Sequence, residues 1–279
     1  MTASAARIIP IHRAAAQTQE FVRIKNVDKV YKTRGRALKA VDDVTLDFRE
    51  GEFVSIVGPS GCGKSTLMMM VAGLVPVSAG QISIRGETVR KPYTDVGVIF
   101  QRDALLEWRT VLDNVLLQID VRRLPRGKYE AAARALLERV GLAGFESAYP
   151  WELSGGMRQR VALCRGLIHD PKLLLMDEPF GALDALTREQ MRIDLEDLWM
   201  QTGKTVLFIT HSIDEAVLLA DRVIVMSPRP GRIEQVYEIA LPRPRGLGAR
   251  SHPLFIAATQ KITDLFLSKG ILRGDAKKT

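Results

Sequence analysis

The sequence is poor in cysteine and has no long apolar run. Its 279 residues include two cysteines, Cys62 and Cys164, whose separation fits neither a disulfide framework nor a metal site. The longest apolar stretch, 67–77, is too short to cross a bilayer and is interrupted by Gly73 and Pro76. These features argue against a disulfide-stapled secreted domain and against a membrane-spanning chain. They predict a protein of a reducing cytosol that reaches any membrane through a partner.

Charge and composition narrow the class of protein without deciding it. The net charge of +8 at pH 7 permits nucleic acid or an anionic membrane surface as a partner, but the basic residues are spread along the chain. A hydrophobic content of 46% is ordinary for a globular chain of one large or two small domains. Residues 1–20 are rich in Ala, Arg and Gln and contain no secretory apolar core, so we expect a disordered tail there.

A glycine-rich loop at 58–66 reads G-P-S-G-C-G-K-S-T and satisfies the G-x-x-x-x-G-K-[ST] phosphate-binding template. An apolar run at 53–57 predicts a buried strand before it, and 64–72 predicts a helix after it. Backbone N–H groups of the curled loop and the helix N-terminus would face a phosphate. Lys64 would reach the β- and γ-phosphates, and Ser65 would bind Mg²⁺. The alternative is a glycine-rich turn that matches the phosphate-binding template by chance. The predicted nucleotide-binding residues here are Gly58, Ser60, Gly61, Cys62, Gly63, Lys64, Ser65 and Thr66.

Polar side chains end three runs that we expect to be buried strands. They are Gln101, Asp177, Glu178 and His211, which follow the runs 96–100, 172–176 and 205–210. Ligands bind at the carboxyl ends of strands in open α/β sheets. Asp177 would hold Mg²⁺ through water, and Glu178 would orient or deprotonate the water that attacks the γ-phosphate. Gln101 is a candidate ligand of Mg²⁺ or of that water, or an ordinary strand-end residue; His211 is a candidate γ-phosphate contact, or a core histidine.

A second anion site is predicted where a helix begins at Ser154. Ser154 is a good N-cap, and the helix N-terminus after it, Gly155-Gly156, favours an anion. One nucleotide could use this site and the glycine-rich loop only if the two met. Near the N-terminus, alternating residues at 21–27 predict an antiparallel strand. Tyr31 after it could stack on a nucleobase, although the sequence alone favours a half-buried strand residue.

Two further helices are predicted late in the chain. The helix that ends near residue 202 should face inward with Met191, Leu195 and Leu198, and outward with Arg188, Glu189, Arg192, Asp194 and Glu196. The last helix should be amphipathic, with an apolar face of Leu254, Ala258, Ile262 and Leu265. We expect this last helix to pack on the domain rather than to form a separate one.

In their order, these motifs resemble the ATP-binding subunits of ABC transporters over about residues 21–240. The residues that carry the resemblance are the phosphate loop 58–66, Gln101, L-S-G-G-M-R-Q-R at 153–160, the acidic strand 173–178, G-A-L-D at 181–184 and His211. The resemblance implies a P-loop NTPase fold of ABC type: α/β, with a mixed-sheet core, an antiparallel β subdomain and a helical signature subdomain. It implies an ATPase domain over 21–250, with the helical subdomain inserted at about 102–165, and a C-terminal helix and tail at 251–279.

The resemblance also implies roles for residues. It places adenine on Tyr31, which reverses the preference from sequence alone, and makes Glu178 the catalytic base. It implies that Ser154, Gly155 and Gly156 contact the nucleotide of a second subunit across a head-to-tail dimer. The remaining implied roles are dimer contact for Asp184, Mg²⁺ binding for Ser65 and Asp177, and coupling to the membrane subunit for Gln101. Two departures, Gly181 where many relatives have Ser and Ser212 where Asp is frequent, touch none of this chemistry.

A finer resemblance concerns the segments 100–115 and 226–233, which are similar to the nitrate/sulfonate/taurine import branch of the family. It implies an ATPase that uses ATP and Mg²⁺ to power import of a small anionic solute from the cytoplasmic face of the inner membrane. Its partners would be a second ATPase subunit, permease subunits and, indirectly, a periplasmic solute-binding protein. A lipid or export system is the alternative. A nucleic-acid-associated ATPase is disfavoured, since the chain has one set of motifs and no sustained heptads.

Overall fold

The computed structural model describes residues 19–33 and 35–272, so most of the tail predicted for residues 1–20 lies outside it. The strands are β1 (Glu20–Thr33), β2 (Arg36–Arg49), β3 (Phe53–Val57), β4 (Ala79–Ile84), β5 (Glu87–Thr88), β6 (Val96–Ile99), β7 (Leu173–Asp177), β8 (Thr205–Thr210), β9 (Arg222–Met226) and β10 (Ile233–Glu238). The helices are α1 (Lys64–Val71), α2 (Val111–Val115), α3 (Leu117–Val121), α4 (Gly127–Arg139), α5 (Gly155–Leu167), α6 (Ala185–Thr202), α7 (Ile213–Leu219) and α8 (Pro253–Ser268).

Two sheets form the core of the fold. An antiparallel sheet has the order β2-β1-β4-β5, and a six-stranded sheet has the order β10-β9-β3-β8-β7-β6. The second sheet is parallel from β9 to β6, with β10 antiparallel at its edge. The predicted mixed-sheet core with an antiparallel subdomain is confirmed.

Both faces of the six-stranded sheet are covered, which explains the unbroken apolar runs of its strands. Along β3, Val54 and Ile56 pack against α1 and the antiparallel sheet, whereas Phe53 and Val57 pack on the other side with α5 to α8. Since side chains alternate between the faces of a strand, a strand between two layers must be apolar at every position. The phosphate loop and the other strand ends all emerge at the carboxyl edge of this buried sheet.

The helical segment between β6 and β7 has its own small core. Val111, Ala133, Leu137 and Val161 are buried there, where α2 and α4 pack on α5. Thr110 caps α2: its hydroxyl accepts a hydrogen bond from the backbone N–H of Asp113, the third residue of the helix.

This helical unit is joined tightly to the sheet through α5 and β6. A Cβ atom placed on Gly97 of β6 would overlap the carbonyl oxygen of Gly166 on α5. Glycine at position 97 therefore lets the helix approach the strand that leads to Gln101. The packing ties the signature helix to the edge of the sheet.

The prediction for α6 is wrong at two positions. Arg192 and Glu196, expected on the outward face, are only 1% and 2% exposed. The segment that follows β10 lies over them: Arg192 Nη1 donates to the carbonyl of Arg245 at 2.8 Å, and Glu196 accepts from the backbone N–H of Arg245 at 2.9 Å. The helical period of α6 cannot predict this burial, because the segment that covers the two side chains lies about fifty residues later in the sequence.

The terminal helix α8 packs on the domain, but not with all of the predicted face. Phe255, Ile262 and Phe266 are buried in the core that α7 shares, whereas Leu254 is exposed. The ring of His252 caps the helix by accepting from the backbone N–H of Leu254. No helix in the described part of the chain is long and apolar enough to cross a bilayer.

Candidate nucleotide-binding site

The phosphate loop joins the end of β3 to the start of α1. Gly61 and Gly63 have φ angles of 74° and 108°, which disfavour any side chain, and a Cβ on Gly63 would lie 2.7 Å from the carbonyl oxygen of Ala40. The ammonium of Lys64 donates to the carbonyls of Gly58 and Pro59 at 2.8 and 3.0 Å. The first turn of α1 contains no acidic residue, and no side chain in the described ranges caps it. Its free N–H groups and dipole therefore favour an anion.

The loop borders an open cleft of about 490 Å³. Its lining residues are Tyr31, Leu38, Ala40, Ser60, Gly61, Gly63, Lys64, Ser65, Thr66, Gln101, Glu178, His211 and Arg229. Ten of the predicted site residues thus meet in this nucleotide cleft. Gly58 and Cys62 lie in the same loop without lining the cleft. The thiol of Cys62 is buried, and this burial raises its pKa.

Three strand ends converge at one corner of the nucleotide cleft. Glu178 Oε1 lies 2.8 Å from His211 Nδ1, and Gln101 Nε2 donates to Glu178 Oε2 at 3.2 Å. The order β8-β7-β6 brings these three residues together, as expected for polar residues at the ends of adjacent parallel strands. His211 is 54% exposed, so the alternative of a core histidine is wrong. Glu178 has a φ of 48°, a strained conformation that clusters at functional sites.

Asp177 lies one residue before this corner, at the end of β7. Its Oδ1 atom is buried and has no hydrogen-bond partner among the described residues. A buried carboxylate oxygen without a partner is costly and is suited to a cation or its bound water. Asp177, with the Ser65 hydroxyl and the Gln101 amide on the cleft, fits Mg²⁺, which takes few protein ligands and keeps several waters. Within the described ranges no three His, Cys, Asp or Glu side chains are grouped to hold a metal.

Tyr31 lies at the mouth of the cleft, on β1. Its hydroxyl is 3.4 Å from the hydroxyl of Thr66, and the ammonium of Lys29 lies 5.0 Å from its ring centroid. The ring is exposed at its edge of the cleft, beside the first turn of α1. An aromatic face in this place is available for stacking on a base.

The signature residues lie outside the nucleotide cleft. Ser154 caps α5 by accepting from the N–H of Met157, as its sequence predicts. A Cβ on Gly156 would lie 2.7 Å from Thr187 Cγ2, so one of the two glycines is explained by the close approach of α6. Asp184 caps α6 by accepting from the N–H of Thr187, and hydrogen bonds from the side chain and the backbone of Thr187 lower the pKa of Asp184. One chain therefore does not bring its two predicted phosphate sites together.

A second cleft, of about 520 Å³, lies between the sheet and the helical unit. Its lining residues are Gln101, Arg102, Asp103, Glu107, Pro150, Trp151, Gly155, Arg158, Gln159 and Ala182. Arg158 pairs with Asp103 across it at 2.9 Å. Gln101 is thus common to the two clefts and physically connects them.

Arg229 is a cleft residue that the analysis of the sequence did not single out. Its Nε donates to the carbonyl of Gly61 at 3.1 Å. The available signal is the segment 226–233, whose resemblance to one branch of a family assigns no role to Arg229. No motif template assigns an arginine in that segment to the phosphate loop, because the contact depends on a turn that follows β9.

Comparison with known proteins gives a consistent result. The family model described as ABC transporter matches residues 41–181. TauB of Rhizobium johnstonii, a taurine import ATP-binding protein, is 51% identical over 205 residues, which cover 74% of this chain and 78% of that protein. An uncharacterized ABC transporter ATP-binding protein of Methanocaldococcus jannaschii is 46% identical over 224 residues, which cover 80% and 84%.

Solved structures agree with these relatives. The dimeric structure of a bacterial ABC transporter cassette matches with a TM-score of 0.71 and 33% identity, over 78% of this chain and 98% of that one. The same cassette in a post-hydrolysis state, bound to ADP and Pi, matches with a TM-score of 0.69 at the same identity.

Proposed function

Because this chain belongs to the ABC transporter family as an ATP-binding subunit and ATPase, we propose that its ATP hydrolysis powers a membrane importer of small anionic solutes, of the sulfonate, taurine or nitrate type. The observation that carries the proposal is the convergence of Gln101, Glu178 and His211 beside the phosphate loop in one cleft. The 51% identity to a taurine import ATP-binding protein supports the solute class.

In the proposed reaction, the phosphate loop binds the nucleotide and Tyr31 stacks on its adenine. The ammonium of Lys64, which bonds two loop carbonyls here, turns to the β- and γ-phosphates. Ser65, Asp177 and Gln101 would hold Mg²⁺, which when bound would neutralise charge on the phosphates.

Glu178 accepts the proton of the attacking water in this scheme. Two neighbours hold its carboxylate in place: His211 contacts one oxygen and Gln101 donates to the other. A general base must be held within hydrogen-bond reach of the water, and both contacts restrict its rotation. His211, which is exposed and lines the cleft, would contact the γ-phosphate as well.

The separation of the two phosphate sites supports a head-to-tail dimer. Ser154, Gly155 and Gly156 lie outside the nucleotide cleft, so they complete an ATP site only on a second copy of the chain. Asp184, exposed at the start of α6, lies at the same contact. The solved cassette that the chain resembles is dimeric, which supports pairing of two copies. ATP would clamp two subunits together, and hydrolysis would release them.

The second cleft is the proposed contact with the permease subunits. It includes Gln101, which also touches the catalytic Glu178, so movement there is coupled to the nucleotide. Exposed aromatic residues lie in this part of the chain: Trp151 lines the cleft and stacks on Tyr149 at 4.5 Å, and Trp108 follows the lining residue Glu107. Aromatic residues of this kind are common in protein interfaces. The subunit would then act at the cytoplasmic face of the inner membrane, with a periplasmic solute-binding protein as an indirect partner and no nucleic acid.

Uptake in cells tests the proposal. Cells whose only copy carries Lys64→Ala are given labelled taurine, longer alkanesulfonates, nitrate and a pyrimidine. We expect uptake of one anionic solute to collapse and the wild-type gene to restore it. Lys128→Ala, at an exposed lysine of α4 outside both clefts, is the matched control and should transport normally.

Other outcomes point to other functions. Unchanged uptake of every solute contradicts the import assignment and favours a lipid or export system. If nucleic acid stimulates ATP hydrolysis by the purified chain, the transport assignment is contradicted altogether.

A further inference from the structure

The segment 227–232, which connects β9 to β10, is fixed between β2 and the phosphate loop. The N–H of Gly231 donates to the carbonyl of Ala40, and the N–H of Asp42 donates to the carbonyl of Gly231, both at 3.0 Å. A Cβ on Gly231 would overlap the carbonyl oxygen of Cys62. The segment therefore touches the phosphate loop at a position where only glycine fits.

Hydrogen bonds within the segment close it into a compact turn. The N–H of Ser227 donates to the carbonyl of Arg232, and the N–H of Arg232 donates to the Ser227 hydroxyl, both at 2.9 Å. Arg232 Nε also pairs with Asp42 of β2 at 2.6 Å. The tip of the turn, which carries Arg229, is thus anchored at both ends before any ligand binds.

Arg229 extends from this tip over the phosphate loop. Its Nε bonds the carbonyl of Gly61, and its Nη2 lies 2.8 Å from the point that a Cβ on Gly61 would occupy. The two Nη groups make no hydrogen bond, and the charge has no carboxylate partner, within residues 19–33 and 35–272. The side chain lines the nucleotide cleft with Lys64 and Ser65. An unpaired cation is therefore held beside the phosphate loop.

We propose that Arg229 binds a phosphate oxygen of the nucleotide, as a second cation beside Lys64. The planar guanidinium matches phosphate geometry, and a side chain that is anchored through Nε loses less rotational freedom on binding. The inference rests on the proposed function, because it requires ATP in this cleft. The segment 226–233 resembles one branch of the family, and the inference assigns one of its residues, Arg229, to the nucleotide site.

Equilibrium binding of ATP with Mg²⁺ to the full chain tests the proposal. We expect Arg229→Gln to raise the Kd for ATP roughly fivefold, a moderate effect because the site is exposed. Arg229→Lys should recover part of this loss, since it restores the charge without the planar fork. The matched control is Arg232→Gln, which removes a cation of the same turn that does not line the cleft; its Kd should stay within about twofold of wild type.

Two results would overturn the inference. One is an unchanged Kd in Arg229→Gln. The other is an equal loss of affinity in Arg229→Gln and Arg232→Gln with a lower Tm for both, because the structure of the turn would then matter rather than the cation. Lys64→Ala is a further variant that separates this inference from the proposed function. If Lys64→Ala abolishes ATP binding while Arg229→Gln retains it in full, the ATPase proposal stands and only the role of Arg229 is removed.

Discussion

Replacing Glu196 should strongly destabilise the fold, although the helical period of α6 predicts an exposed residue. Its carboxylate is 2% exposed and accepts from the backbone N–H of Arg245 at 2.9 and 3.0 Å. It also pairs with Arg243 at 3.0 Å and faces Arg192 at 4.0 Å. Glu196→Ala leaves a buried N–H without an acceptor and removes the carboxylate that these arginines share.

The magnitude follows from these contacts. A buried donor that loses its acceptor costs about 1–3 kcal/mol, and breaking a buried ion pair from one side costs about 3–5 kcal/mol in all. Arg245 is buried deeply enough that its pKa is lowered to about 9, so it remains charged at pH 7 and still needs compensation. We therefore expect Glu196→Ala to lower the free energy of unfolding by roughly 3–5 kcal/mol.

Urea denaturation at pH 7, followed by circular dichroism, measures this change. Asp197→Ala is the matched control, because Asp197 is the neighbouring acid on α6 and is exposed; its effect should stay within about 0.5 kcal/mol. Glu196→Gln keeps an acceptor for the N–H and should fall between the two. A loss below about 1 kcal/mol in Glu196→Ala would refute the reasoning, since a surface acid behaves in that way.

Three further predictions concern the site and its support. Lys64→Ala should weaken ATP binding roughly 10- to 100-fold by removing a charge-assisted contact, whereas Lys128→Ala should bind normally in the same titration. Gly97→Ala should lower the free energy of unfolding by about 1–3 kcal/mol, because the added methyl overlaps α5. Gly127→Ala is the control and should not lower it, since the methyl added there meets nothing within 4 Å. Equal effects of the two substitutions would contradict this packing. Burial raises the pKa of Cys164 to about 12, so its thiol should not react with a maleimide in the folded protein. Mass spectrometry should find Cys164 unlabelled in the folded protein and labelled after denaturation. Rapid labelling in the folded state would show that α5 is open.

Much of the site could be predicted because its parts are continuous in sequence. The phosphate loop contains its own turn, donors and helix start, so one template describes it. Gln101, Glu178 and His211 each end an apolar run, and a parallel sheet brings such ends to one edge without any contact having to be known in advance. The cap at Ser154 is equally local, and the sequence predicts it correctly.

What could not be predicted depends on partners far away in the chain. Arg192 and Glu196 are buried by a segment about fifty residues later, and helical periodicity contains no information on such a cover. Arg229 reaches Gly61 from the loop that follows the neighbouring strand β9, far away in sequence. Periodicity predicts Leu254 on the packed face of α8, whereas its side chain is exposed at the first turn of the helix.

The central claim is that ATP clamps two copies of this chain together. The most direct measurement is the molar mass of Glu178→Gln by size-exclusion chromatography with light scattering, with and without Mg²⁺ and ATP. This variant keeps an acceptor at position 178 and adds an amide donor, but it has no carboxylate to take the proton from water. We predict a monomer without ATP and a stable dimer with it, and a monomer in both conditions when Lys64→Ala is added. A Glu178→Gln variant that binds Mg²⁺ and ATP and remains monomeric would contradict the clamp.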